Sequence, residues 1–153
     1  MKVTELQDVD PEEVIAGLFD RATESVSIST TLHPSFFNRP RIRQAFISAY
    51  SKVGSFRILL DHNIRWDERK NELPWLAKLA VDSKFDVRES DKPLLHWVII
   101  DSKHFRLEKP HQALEQNGVL RTSNLLIENA IKPVADTLKD LFGLWWKDAI
   151  IVK

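Results

Sequence analysis

The stretch Leu94-Leu95-His96-Trp97-Val98-Ile99-Ile100-Asp101-Ser102-Lys103-His104-Phe105-Arg106-Leu107-Glu108 decides the fold of this chain. Its first seven residues are apolar except for His96, and a turn signal follows at residues 101–103. A continuous apolar run between turn signals is typical of a strand that is buried on both faces. The alternating run after the turn is typical of a half-buried neighbouring strand. The stretch therefore predicts a hairpin at the centre of a sheet, with His96 as a polar side chain inside the buried strand.

Helix and strand signals alternate before this hairpin. Asp10 and Pro11 fit a helix N-cap and the first helical position, and residues 1–9 are predicted to be a loose lead-in. The strict alternation over residues 25–30 predicts a strand. Further signals predict a helix over residues 41–53, a strand over 56–60, a helix from Pro74, a short edge strand over 85–89, and polar loops over 32–40 and 61–70.

The C-terminal third ends in the clearest helix, with Pro133 near its first turn. On its spacing Trp145 points inward, whereas Trp146 is exposed and is a candidate for an interface. Before this helix, residues 109–116 fit a loop or a short helix, residues 118–122 a short strand, and residues 125–131 a helical turn or one arm of a kinked helix. The apolar stripe of the last helix comprises Val134, Leu138, Leu141, Phe142, Trp145 and Ala149.

These elements predict one α/β domain over residues 1–153, with a mixed central β-sheet flanked by α-helices and a long C-terminal helix. The chain carries 22 basic and 22 acidic residues, so a strongly basic nucleic-acid binder is not indicated. It has no cysteine, which excludes disulfides and thiol chemistry and fits a cytoplasmic location. We expect no membrane span, because no run reaches about 18 apolar residues, and the N-terminal residues lack the apolar core of a signal peptide.

The motifs predict neither a cofactor nor a metal ion. The five histidines show no ligand spacing, and the four glycines form no Gly-x-Gly-x-x-Gly or phosphate-loop motif. Asp61-His62-Asn63 is a further candidate for a ligand contact. It ends a predicted central strand, which is where ligands often lie in α/β sheets.

Several short sequence motifs, taken in their order along the chain, resemble those of the phospholipase D-like superfamily. They are Arg21-Ala22 before the first strand, His96, residues 101–108, and Phe142-Gly143-Leu144-Trp145 with Ala149 in the last helix. The resemblance covers about residues 10–149. It implies the half-phospholipase D fold that occurs as a single copy in stand-alone prokaryotic proteins and regulator domains. It also implies a homodimer, because single-copy members pair.

The chain departs from the His-x-Lys-x-x-x-x-Asp motif of the catalytic members. If His96 takes the histidine position, Val98 replaces the lysine and Asp101 comes two residues early. If Asp101 is aligned instead, Leu94 replaces the histidine and His96 the lysine. Ser123-Asn124 is only loosely similar to the Ser-x-Asn that follows in active members. Because the family's histidine attacks phosphorus and its lysine holds the phosphate oxygens, the resemblance implies a degenerate catalytic motif.

The hairpin supplies the first group of candidate site residues. His96 is a candidate pocket residue that hydrogen-bonds an anionic group, and Arg106 and Glu108 lie on one face of the second strand. The alternative is a buried histidine satisfied by a neighbour, beside a solvated ion pair.

Two basic segments supply the other candidates. Arg39, Arg41 and Arg43 stand at a helix start and predict an anion site, with a solvated basic face as the alternative. A second segment places Trp66 among positive charges. Aromatic and basic side chains in this combination bind single-stranded nucleic acid, so the segment is a candidate for such a contact. The alternative is that Trp66 covers the edge of the core. Its basic residues are Arg65, Arg69 and Lys70.

We therefore expect a non-catalytic module that binds an anionic, phosphate-containing ligand, a nucleic acid or a protein partner. One alternative is a phosphodiesterase or nuclease in which His96 is the nucleophile and Arg106 replaces the lysine. Another is the protein-interaction domain of a regulator, with contacts around Trp146. The predicted ligand contacts are Arg39, Arg41, Arg43, Arg106, Glu108, Ser123 and Asn124.

Overall fold

A computed structural model of the protein describes residues 1–7, 10–108, 114–116, 119–121 and 123–153. The helices and strands in these residues follow one another along the chain as β1 (Lys2–Gln7), α1 (Pro11–Arg21), β2 (Ser25–Thr30), α2 (Pro34–Phe37), α3 (Pro40–Lys52), β3 (Ser55–Leu60), α4 (Trp66–Glu72), α5 (Pro74–Leu79), β4 (Phe85–Glu89), β5 (Trp97–Ile100), β6 (His104–Glu108), β7 (Leu114–Gln116), β8 (Val119–Arg121), β9 (Ser123–Glu128), α6 (Lys132–Asp148) and β10 (Ile150–Ile151).

Eight of these strands form one mixed sheet in the order β1-β9-β6-β5-β2-β3-β4-β10. The pairs β2–β3 and β3–β4 are parallel, and the other pairs of this sheet are antiparallel. The predicted mixed α/β fold with a long C-terminal helix is confirmed. The predicted hairpin is confirmed as well, because β5 and β6 pair antiparallel in the middle of the sheet and all four residues of β5 are buried.

The N-terminal helices cover one face of the sheet. Phenylalanine rings form the centre of this core: the rings of Phe46 and Phe56 lie 4.6 Å apart, and those of Phe56 and Phe85 lie 5.3 Å apart. Phe19 of α1 packs edge-on against Phe46 at 5.4 Å. Offset and edge-to-face ring pairs add about 0.5–1.5 kcal/mol each beyond the area that they bury, so this cluster fixes α1 and α3 on the sheet.

Helix α6 packs on the opposite face through Ala135, Phe142 and Trp146. The Arg88 guanidinium lies 4.5 Å from the Trp146 ring centroid, and its Nη1 donates a hydrogen bond of 2.8 Å to the Trp146 carbonyl. The prediction that Trp146 is exposed was therefore wrong. Trp145 packs beside it, with its ring centroid 4.6 Å from that of Trp97. No helix among the described residues has both the length and the apolar character needed to cross a membrane.

Side-chain hydrogen bonds fix the register of β5 against β2 at both ends. At one end, Asp101 accepts hydrogen bonds from the backbone N–H groups of Thr23, Glu24 and Ser25 and from the Thr23 hydroxyl, over 2.7–3.1 Å. At the other end, the Ser29 hydroxyl donates to the Leu95 carbonyl at 2.7 Å and accepts from the Trp97 N–H at 2.8 Å. A slip of one residue would turn each side chain to the opposite face, and these bonds oppose it.

Several local expectations were wrong because partners distant in sequence decide the structure. Lys2–Gln7 is strand β1, not a loose lead-in, since it pairs with β9 at the sheet edge. The loop expected over 61–70 contains the start of α4, and the loop over 32–40 contains α2. The helical turn expected over 125–131 is mostly strand β9.

Other expectations fall partly on residues outside the described ranges. Leu114–Gln116, for which a loop or short helix was expected, is strand β7, and Val119–Arg121 is the expected short strand. These two strands pair with each other. Residues 109–113, 118 and 122 of the same predictions lie outside the described residues.

Replacing Asp101 by alanine is expected to lower the free energy of unfolding by about 3 kcal/mol. The change leaves three backbone N–H groups without the carboxylate that accepts their bonds. Chemical denaturation measures the loss. The control is Glu24→Ala, whose side chain is exposed, with an expected change within about 0.5 kcal/mol. Equal losses for the two variants would contradict this role of Asp101.

His104 is a buried histidine held in its neutral form. Its Nδ1 accepts a hydrogen bond of 3.1 Å from the Asn129 N–H, and Arg21 Nη2 lies 3.4 Å from its Nε2. Burial lowers the pKa of His104 below its ordinary value, and the positive charges of Arg21 and Lys103 lower the pKa further. An acceptor nitrogen cannot carry a proton, so the geometry and the direction of the shift agree.

The free energy of unfolding is therefore expected to fall as the pH drops below about 6.5, the ordinary pKa of histidine. The unfolded chain binds this proton more readily than the folded chain, so the stabilisation is present above that pH and is lost below it. Denaturation midpoints between pH 7.5 and pH 5 measure the slope, and His104→Gln should reduce it. An unchanged slope in that variant would show that other groups cause it.

Candidate functional site

Three chain segments meet at one end of the sheet. The parallel strands β2 and β3 end there, at Thr30 and Leu60, and the antiparallel strand β5 begins there at Trp97. In open α/β sheets, ligands bind beside the carboxyl ends of strands where the strand order reverses. The sheet changes from parallel to antiparallel pairing at β2. The topology therefore indicates a ligand site at this end of the sheet.

His96 lies immediately before β5 at this end. The prediction that His96 lies inside the buried strand was wrong. His96 precedes Trp97, the first residue of that strand, and its side chain is 34% exposed. Its Nε2 lies 2.8 Å from Asp61 Oδ2, and its Nδ1 lies 3.3 Å from Glu108 Oε2. Both ring nitrogens of His96 therefore face carboxylates.

The two carboxylates are themselves held by the backbone. Asp61 Oδ1 accepts hydrogen bonds from the N–H groups of Leu94 at 2.9 Å and His62 at 2.8 Å. Glu108 Oε2 accepts a bond of 3.0 Å from the His96 N–H. Burial raises the pKa of Asp61, but the hydrogen bonds from His96, Leu94 and His62 outweigh burial, so the pKa of Asp61 lies below its ordinary value.

This arrangement limits what the His96 ring can do. Carboxylates only accept hydrogen bonds, so the Nε2 that lies 2.8 Å from Asp61 Oδ2 is the donor of that bond. A nucleophilic imidazole needs one nitrogen with a free lone pair directed at the substrate. Nε2 of His96 is engaged by Asp61, and Nδ1 lies against Glu108. The site as it stands orients the His96 ring between two carboxylates.

A cavity of about 170 Å³ opens beside His96, and Arg106 lines it. Val98 pairs with Arg106 across β5 and β6, so the two side chains lie on the same face of the sheet. Val98 stands where the family's lysine would be if His96 took the histidine position. The neighbouring strand thus supplies a cation next to that position.

Arg106 is incompletely satisfied. Its Nε is buried and has no hydrogen-bond partner among the described residues. Desolvation lowers the pKa of the guanidinium below its ordinary value, and Glu108 partly offsets that fall. None of the described residues lining the cavity carries a carboxylate. A buried donor without an acceptor costs about 1–3 kcal/mol.

Two of the three predicted arginines at the start of α3 have partners on α1 or at its N-cap. Arg39 pairs with Asp10 at 3.1 Å, and Arg41 pairs with Asp20 at 2.8 Å. These contacts favour the interpretation of a solvated basic face that ties α3 to α1. The structure does not bring these arginines to the cavity wall.

The basic segment around Trp66 is likewise engaged in the fold. Trp66 is buried, and its N–H donates to Glu89 at 2.9 Å. Arg65 pairs with Glu89, Arg69 with Glu72, and Lys70 with Asp67, over distances of 2.9–3.5 Å. These contacts favour the interpretation in which Trp66 covers the edge of the core.

Asn124 is the remaining predicted contact that the fold places near this site. It pairs with Glu108 across β6 and β9, so it lies one strand away from the Glu108 carboxylate that faces His96. The Ser123 side chain lies outside the described residues.

Sequence reasoning missed the part of the cavity that follows β2. Thr30, Thr31, His33 and Phe36 line it together with Val98. The signal that could have located them is the position of these residues directly after a predicted central strand, the same argument that singled out Asp61.

No protein-family model and no curated protein matches this chain. Solved structures do match. TrmBL2, an archaeal chromatin protein described with a novel mode of DNA binding, superposes with a TM-score of 0.75 at 18% identity, over 99% of this chain and 55% of the other. The phospholipase D family member Nuc from Salmonella typhimurium superposes with a TM-score of 0.67 at 13% identity, over 99% and 98% of the two chains. NucT from Helicobacter pylori matches with the same score and identity over 98% of both chains.

The chain has the phospholipase D fold. At these identities the likeness concerns the fold alone, and function must be argued from the site. The chain spans about half the length of TrmBL2 but nearly all of Nuc and NucT. The predicted phospholipase D-like architecture is therefore confirmed, whereas the roles of individual residues rest on the geometry described above.

Replacing His96 by alanine is expected to lower the free energy of unfolding by about 1–2 kcal/mol at pH 7. The change removes the imidazole that lies between the carboxylates of Asp61 and Glu108. The deficit relative to the wild type should narrow only as the pH falls below about 4, because the pKa of Asp61 lies below its ordinary value of 3.8 and its charge is lost there. Urea denaturation at several pH values measures the difference in free energy of unfolding between the variant and the wild type. A deficit that stays constant with pH would contradict the proposed ion arrangement.

Proposed function

We propose that this chain is a phospholipase D-like binding module for a small anionic ligand and that it has no phosphodiesterase activity of its own. The observation that carries the proposal is the buried Arg106 Nε, which has no partner among the described residues and belongs to a side chain lining a cavity. Guanidinium groups bind carboxylates and phosphates through paired hydrogen bonds. Arg106 is the cation that meets the ligand.

The absence of catalysis follows from the environment of His96. In the family chemistry a histidine attacks phosphorus while a lysine holds the phosphate oxygens. Here both ring nitrogens of His96 face carboxylates, and Val98 offers no charge. His96 instead lies between the carboxylates of Asp61 and Glu108, beside the cavity. The degenerate motif and the ion arrangement support the same conclusion.

Two further parts of the proposal concern partners. The homodimer implied by the family resemblance remains a prediction, as does contact with nucleic acid. TrmBL2 is described as a DNA-binding protein, but this chain spans only part of it. In the basic segments of this chain, Arg39, Arg41 and Arg65 are paired with acidic side chains. The cavity therefore supports a small anionic ligand better than a polymer.

Acetate and inorganic phosphate are expected to shift the Arg106 Nε–H signal in ¹H–¹⁵N NMR spectra in a saturable manner. Arg106→Gln should weaken binding of both anions at least tenfold, because it removes the charge and the paired donors. The matched control is Lys139→Gln, which removes one positive charge from α6 on the opposite face of the sheet. Binding that survives Arg106→Gln, or the lack of any shift with either anion, would overturn the proposed binding function.

A separate assay tests the absence of catalysis. Bis(4-nitrophenyl) phosphate incubated with the wild-type protein between pH 5 and pH 9 should release 4-nitrophenolate no faster than buffer does. Release that is abolished by His96→Ala would establish the phosphodiesterase alternative instead.

A further inference from the structure

The dimensions of the cavity restrict the ligand. Its volume is about 170 Å³, and a cavity of about 150 Å³ with apolar walls holds one benzene molecule. One six-membered ring or a branched chain of similar size therefore fills it. A nucleotide, with its base, sugar and phosphate, is too large to be enclosed there.

The walls of the cavity add a second restriction. Ile15, Phe19, Phe36 and Phe37 form an apolar side, whereas Thr30 and Arg106 belong to the polar lining. Ligand sites of this kind combine apolar walls with a few polar groups that fix orientation. The body of the ligand is therefore apolar, and its charge is confined to one end.

The charges around the cavity limit the ligand to one negative charge. Arg106 is the one arginine among the described lining residues, and that lining holds no lysine. A dianionic phosphate would bring two negative charges to this single guanidinium, whereas a monoanion is matched by Arg106.

The guanidinium of Arg106 points to the kind of anion. Nε and one Nη form an edge of the guanidinium with two parallel donors, and a carboxylate accepts both. The Arg106 side chain lines the cavity. A planar carboxylate satisfies a guanidinium without further cations.

Resting on the function proposed above, we infer that the ligand is a small monocarboxylate with one compact apolar group, such as a single aromatic or alicyclic ring. Its carboxylate binds the guanidinium of Arg106, and its apolar group contacts Phe36 and the residues around it.

Isothermal titration calorimetry of the full chain with benzoate, cyclohexanecarboxylate, acetate, phenyl phosphate and inorganic phosphate tests this inference. Benzoate or cyclohexanecarboxylate should bind at least tenfold more tightly than acetate and than either phosphate. Arg106→Gln should weaken that binding at least tenfold, while Lys139→Gln leaves it unchanged. Phe36→Ala, which enlarges the apolar side, should shift the preference from benzoate towards 2-naphthoate.

The outcomes separate the ligand class from the proposed function. If the phosphates bind more tightly than the ring carboxylates and depend on Arg106, the binding function stands and the monocarboxylate inference is wrong. If acetate and benzoate bind equally, the apolar side is not used and the inference is also wrong. If none of the five compounds binds, the inference and the binding function fall together.

Discussion

The register of β5 against β2 is the constraint on which the site depends. Asp101 at one end and Ser29 at the other hold the two strands by side-chain bonds to the backbone. With this register, His96 emerges at the carboxyl end of β2 and β3, beside Asp61. A shift of one residue would send His96 to the face that α6 covers. Asp101, at one end of β5, therefore helps to set the position of His96 at the other end.

The site illustrates how a fold can keep its geometry while its charges change partners. The position expected for a lysine holds Val98, and the cation stands one strand away at Arg106. His96 lies at the end of the sheet, where its two ring nitrogens face Asp61 and Glu108. The result is a cavity with apolar walls and one guanidinium that lacks a full set of acceptors.

The extent to which sequence predicted this structure depends on how local each signal is. The β5–β6 hairpin and α6 were predictable because a buried run, a turn and a helical stripe are contained in short windows. Strands β1 and β9 were not, because they stabilise each other across more than 100 residues, and their short apolar runs also fit helical turns. Trp146 was misplaced because Arg57 and Arg88, from two other strands, provide the surface against which it stacks. In the site, His96 was conspicuous as a polar residue in an apolar run, whereas Thr30, Thr31 and Phe36 carried no pattern of their own.

The pairing of β1 with β9 decides which strand forms the edge of the sheet. β1 is the edge strand and covers β9 along its full length, from Lys2 opposite Glu128 to Gln7 opposite Ser123. Proteolytic trimming before Asp10 would leave β9, with its run Leu125-Leu126-Ile127, as the edge strand. An apolar edge of this kind recruits strands from other molecules more readily than one with charged side chains such as Lys2.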